Sequence, residues 1–201
     1  MSPRRLFSLG SVALLSALRA SVAVLAYTGA AAAAQDVSVG VAAGPDRGRV
    51  DCVASFPCDR ASTQFKLSGA WNFADAWEAQ LAYFRAGSYR GGDPIPLGGE
   101  FGGIFRVDGV GLSAGYRWSF APGWRATARL GATSMRTRFE YANALAGNVS
   151  KTTLQPFGGV SVGYAITPAV RIGVDYDVTR FKVYRAQGSL RMLGVATQFS
   201  F

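Results

Sequence analysis

The sequence of 201 residues contains no histidine. Without an imidazole there is no Ser-His-Asp triad, no histidine general base and no histidine-ligated zinc. Cysteine is nearly absent as well. Cys52 and Cys58 are the only thiols, and their spacing is neither a zinc nor a thioredoxin pattern. Charged residues make up 16% of the chain, where soluble domains carry about 25%. Past residue 34 there is no run of about 18 consecutive apolar residues, so no transmembrane helix is expected there. A dinucleotide-like spacing, Gly109-x-Gly111-x-x-Ala114, lies inside an alternating stretch with no helix after it, so it is read as packing glycines. No cofactor and no metal site are expected.

Apolar residues reach 49% and glycine 25 positions. Residues 1–34 read as a secretory signal: Arg4 and Arg5 open it, apolar residues follow, and Ala32-Ala33-Ala34 closes it. An uncleaved anchor is the alternative. The leader holds Arg4, Arg5 and Arg19 and no acid, so removing it lowers the net charge from +9 to about +6. That charge is not gathered on a helix or an aromatic-studded sheet, and no nucleic-acid partner is expected. An exported chain meets an oxidising compartment, which favours a Cys52–Cys58 disulfide over two unpaired loop thiols.

From Gln35 onward the dominant signal is alternation. Eight stretches of about ten residues place bulky apolar side chains on one face and Gly, Ser, Gln or charged residues on the other. In 124–133, for example, Trp124, Ala126, Ala128 and Leu130 oppose Arg125, Thr127 and Arg129. Turns at 73–76, 120–123 and 165–169 are short, whereas polar segments near 45–62, 86–105 and 136–152 are longer, and the last, near 180–188, is intermediate. Tight turns on one side, loops on the other and strands long enough to cross a bilayer at a tilt predict a transmembrane barrel. Trp71, Trp77, Trp118, Trp124 and Tyr164 cluster at the short-turn ends, where an interfacial aromatic girdle belongs. The expected fold is all-β, an eight-stranded antiparallel up-and-down transmembrane β-barrel over 35–201. The greasy face should look outward and the small hydrophilic face should fill the middle.

With Phe65-Lys66-Leu67-Ser68-Gly69 and the last strand ending Gln198-Phe199-Ser200-Phe201, the chain resembles the small outer-membrane β-barrel family typified by the OmpA transmembrane domain and its OmpX/Ail-type relatives. The resemblance implies a Gram-negative outer-membrane location and a monomeric state. It also implies that Phe199 and Phe201 are read by the barrel-assembly machinery. Enzymes of this family lean on histidine, so a non-enzymatic role in envelope integrity and surface contact is expected. A narrow pore for small solutes or ions is the alternative. Lys66, Glu78, Arg117, Arg125, Arg129, Arg171 and Asp175 are expected to form a charge network in the lumen. Arg85, Arg136, Arg138, Arg180 and Lys182, toward the long loops, are candidates for contact with lipopolysaccharide phosphates.

Overall fold

Side chains that alternate in polarity at every second residue suit an extended backbone facing two environments. A computed structural model describes residues 37–49, 57–94, 100–141, 148–183 and 186–201. The leader expected over 1–34 and Cys52 lie outside these residues. The strands are β1 (Val37–Gly48), β2 (Ala61–Ala74), β3 (Trp77–Pro94), β4 (Glu100–Ala121), β5 (Trp124–Tyr141), β6 (Val149–Ala165), β7 (Val170–Val183) and β8 (Ala186–Ser200). Each pairs antiparallel with the next, and β8 pairs with β1 from Ser38↔Ser200 to Gly48↔Leu190, closing the barrel. Phe201 N donates to Val37 O at 2.9 Å and seals the seam at its end.

The short turns fall where the sequence places them. β4 and β5 meet through Pro122-Gly123, where Gly123 has a φ of 77°. That left-handed backbone is one that glycine adopts without steric cost. At the β2–β3 turn, Arg117 Nη2 donates to the carbonyls of Ala74 and Asp75 at 3.0 and 3.1 Å.

Two expectations need correction. The segments 86–105 and 136–152 are not simply loops: β3 runs on to Pro94, β4 begins at Glu100, and β5 continues to Tyr141. β4 alone has 22 residues, about twice what a tilted strand needs to cross a bilayer. The outward-apolar rule also holds for only part of each strand. On β5, Leu130 faces outward and is 76% exposed, whereas Arg136 and Arg138 occupy the same face higher up. The inward face changes in the opposite sense, from Arg129 to Met135 and Phe139, all buried. The crossover level is marked by the register Arg85↔Asp108↔Arg136↔Thr152. Below it the wall suits lipid, and above it the wall has the apolar-in, polar-out order of a barrel in water.

The upper interior is a packed apolar plug. Phe84, Phe105, Met135, Phe139, Phe157, Phe181, Leu190 and Met192 are all buried in one cluster. Phe84 stacks on Phe157 at 6.0 Å, and Phe105 meets Phe139 at 4.5 Å. Gly109 makes room for it, since a Cβ there would lie 2.6 Å from Met135 Sδ. Asp46 and Tyr89 are among the polar side chains buried beside it. The Asp46 carboxylate accepts Gly87 N–H at 2.9 Å at the β3 bulge. Burial, with Asp46 beside it, pushes the Tyr89 hydroxyl above the usual tyrosine range.

Around the lower rim stand Trp71, Trp77, Tyr116, Trp118, Phe120, Trp124 and Tyr164, all exposed outward. Trp77–Tyr116 and Trp124–Tyr164 ring pairs, each 5.3 Å between centroids, span neighbouring strands. This is the girdle the sequence implies.

Strand spacing gives a direct test. A Cβ at Gly173 would lie 2.2 Å from Val162 O and 2.6 Å from Gly163 Cα, whereas one at Gly69 meets nothing within 4 Å. Gly173→Ala is therefore expected to cost about 1–3 kcal/mol, the range for overpacking, while Gly69→Ala leaves stability unchanged. Urea midpoints of the refolded barrel in detergent micelles measure both.

Candidate functional site

Two groups of polar side chains carry chemistry: one inside the lower lumen and one on the outer wall above the crossover. Strand parity builds the first. Lys66 on β2, Arg129 on β5, and Asp175 and Asp177 on β7 all point inward, at a level where their strands curve round to face one another. Lys66 Nζ lies 2.5 Å from both Asp175 Oδ2 and Asp177 Oδ2. Arg129 Nη2 lies 3.4 Å from Asp177 Oδ1 and 3.8 Å from Asp175 Oδ1, and its Nη1 donates to Ser161 Oγ at 3.2 Å. The Lys66 and Asp177 side chains are both only 3% exposed. Glycines give these long chains their space. A Cβ at Gly115 would meet Glu78 Cγ at 2.8 Å and Arg129 Cγ at 3.1 Å.

Nearer the short turns the network loosens. Arg117 Nε approaches Glu78 Oε2 at 3.9 Å. Arg171 Nη1 donates to Gln198 Oε1 at 3.3 Å, and Gln198 Nε2 donates to Ser38 Oγ at 2.6 Å. The Arg125 side chain forms no hydrogen bond or ion pair among the described residues, although its charge bears on Glu78. So five of the seven expected network residues make ion pairs within 4 Å: Lys66, Arg129 and Asp175 in the cluster, and Glu78 with Arg117 at the long end of that range. Asp177 belongs to the ion cluster but was missing from that set. Its position two residues after Asp175 puts it on the same face, and that spacing was the available signal.

The second group sits on the outer wall within strands. Arg85 and Arg138 line one groove of about 400 Å³ with Arg106 and Asp108. Arg180 and Lys182 line another of about 510 Å³ with Arg49 and Gln155. Arg136 stands between Asp108 and Thr152 in register. Arg138 pairs with Asp108 at 3.2 Å, and Arg106 pairs with Glu140 at 3.0 Å. Among the described residues Arg85, Arg136, Arg180 and Lys182 make no ion pair. Phe199 faces outward on β8, and Phe201 is exposed at the chain end. Among the described residues no cluster of His, Cys, Asp and Glu could hold a metal.

Comparison with solved structures finds the same architecture. Neisserial surface protein A superposes with a TM-score of 0.60 at 14% identity, covering 84% of this chain and 98% of that one. The outer membrane protein OprG from Pseudomonas aeruginosa gives 0.55 at 12% identity, over 83% of this chain and 96% of its own. Ail of Yersinia pestis, solved in complex with the heparin analogue sucrose octasulfate, gives 0.51 at 16%, over 82% and 98%. At such identities the likeness is one of fold. No family model matches the sequence, and no curated protein matches it.

The ion cluster predicts its own sensitivity. Lys66→Met leaves two buried carboxylates to Arg129 alone, and breaking a buried pair costs about 3–5 kcal/mol. Adding Asp177→Leu to that variant should recover more than half of the loss, read from urea midpoints in micelles. No recovery would mean that Lys66 acts through packing instead.

Proposed function

We propose that this chain is an integral outer-membrane β-barrel of a Gram-negative bacterium, a non-enzymatic monomer serving envelope integrity and surface contact. The observation that carries the reading is the crossover level. Exposed Leu81, Leu112, Leu130 and Leu154 sit below it and the arginine collar directly above it. A leaflet with phosphates just outside the hydrocarbon matches that sequence of surfaces, because arginine forks bind phosphate in paired hydrogen bonds. The cations that make no ion pair among the described residues, Arg85, Arg136, Arg180 and Lys182, are the contacts to lipopolysaccharide phosphates, and Arg138 joins them less freely because Asp108 holds it.

In this reading the leader 1–34 directs export and is removed, Cys52 and Cys58 close a disulfide outside the membrane, and the terminal strand with Phe199 and Phe201 engages the barrel-assembly machinery. The pore alternative is opposed by the plug. Fully buried Phe84, Tyr89, Met135 and Leu190 fill the upper interior, and eight strands leave room only for side chains. Absence of histidine and the pairing of the lumen carboxylates favour a non-catalytic role.

Two measurements test this. Reversing Arg85, Arg136, Arg180 and Lys182 to Glu should abolish lipopolysaccharide co-purification and sensitise cells to large hydrophobic antibiotics. Unchanged co-purification in a folded variant would refute the contacts. The intact mass of protein from the outer-membrane fraction should match 35–201 with one disulfide. A retained leader, or thiols open to alkylation, would overturn the export and bridge assignments.

A further inference from the structure

Arginines on the first and last strands face one another across the closure of the barrel. Arg47 on β1 and Arg191 on β8 are in register, and both are exposed. Opposite residues on paired strands lie only about 5 Å apart, and like charges placed so are destabilising. Arg49 follows two residues on, and its N–H donates to Ser189 O at 2.8 Å, so the backbone stays paired to β8 there. Among the described residues Arg47, Arg49 and Arg191 make no ion pair. Asp46, the acid beside Arg47 in sequence, points inward and is buried.

A groove of about 600 Å³ opens over this point, lined by Arg47, Arg49, Asp59, Arg60, Ser189 and Arg191 among others. Four arginines and one acid thus share it. Setting Asp59 against Arg60 still leaves three positive charges at the seam. The surface beneath is apolar: Val39 and Val41 on β1 and Leu193, Val195 and Phe199 on β8 are all exposed outward. A cationic groove over an apolar wall fits an amphiphile with an anionic head and a hydrocarbon tail better than it fits a free anion. A phosphate monoester carries about −1.5 to −2 charges near neutral pH, enough to sit between two guanidinium forks.

We propose that the β1–β8 seam binds the phosphate monoester head of an outer-leaflet lipid between Arg47 and Arg191, with Arg49 as a third donor, and that this head clamps the barrel shut. The inference rests on the outer-membrane reading above, but its residues are separate from Arg85, Arg136, Arg180 and Lys182 of the collar. The head bridges the first strand to the last. It replaces repulsion across the seam with attraction to a shared anion. It binds only where the two strands are paired, so bound lipid favours the closed state by mass action. Without the lipid the two charges oppose closure.

The thermal unfolding midpoint of the refolded full-length mature barrel in non-ionic micelles, followed by circular dichroism, tests this with diphosphoryl lipid A as the probe. Lipid A at a hundredfold excess over its dissociation constant should raise the wild-type midpoint by roughly 5–10 °C, and dephosphorylated lipid A should not. R47Q/R191Q should cross over. Its midpoint lies at or above wild type in lipid-free micelles, where the repulsion is gone, and below wild type with lipid A. No rise in wild type, an equal rise in variant and wild type, or a variant less stable than wild type without lipid would each overturn the clamp. Inorganic phosphate that matches the lipid A effect would overturn the lipid as occupant. Loss of lipopolysaccharide from the collar variant without a crossover here overturns the seam alone, and the reverse pattern overturns the collar alone. If R47Q/R191Q fails to fold, R191Q by itself must show a smaller loss of the lipid-induced rise.

Discussion

A backbone N–H or C=O left unpaired in hydrocarbon costs several kcal/mol. That constraint makes closure of β1 on β8 obligatory, and the rest of the molecule follows from it. Once the sheet is closed, each strand has one face to lipid and one to a narrow interior, so every inward side chain must be accommodated by those opposite. Glycines at 109, 115 and 163 supply that room, taking up Met135, Glu78 with Arg129, and Arg171 respectively. The buried charges Lys66, Arg129 and Asp177 are there as a set with Asp175, because an isolated charge in so small a volume is far more costly than a paired one.

The same strands cross two solvents. In the lower half the outside is apolar and the inside polar, and in the upper half both faces reverse, with parity kept on β5 and shifted on β3 by the bulge that turns Tyr89 inward. The inward run of β5 passes from Thr127 and Arg129 through Thr133 to Met135, Thr137 and Phe139. The molecule is thus two cores stacked along one axis: an ionic one below and an aromatic one above. The ionic core needs its partners placed to within fractions of an ångström, whereas the aromatic core tolerates exchange of one bulky residue for another of similar volume.

Much of this was legible in the sequence, and the part that was not has a physical cause. The number of strands, the short turns and the aromatic girdle follow from alternation and turn chemistry in the lower half. The upper strands are hard to read in the sequence because their greasy face changes sides. At Arg85, Arg106 and Arg136 a charged outward position looks like the start of a loop, although Phe84, Val107 and Met135 continue the inward rhythm. The lumen charges were readable by parity, but parity does not tell which cation meets which acid. Lys66 finds Asp177 across 111 positions of sequence, and only the curvature of the closed sheet brings them together. Arg125 shares the inward face yet makes no ion pair among the described residues.

The length of β4 has a mechanical consequence. Glu100 precedes Asp108 at the crossover level by eight residues, a stalk of about 25 Å measured along the strand. Paired with β3 as far as Pro94↔Glu100, the strand therefore begins well clear of the lipid boundary. A change of sequence near Glu100 therefore lies about eight residues from the level where the wall meets hydrocarbon.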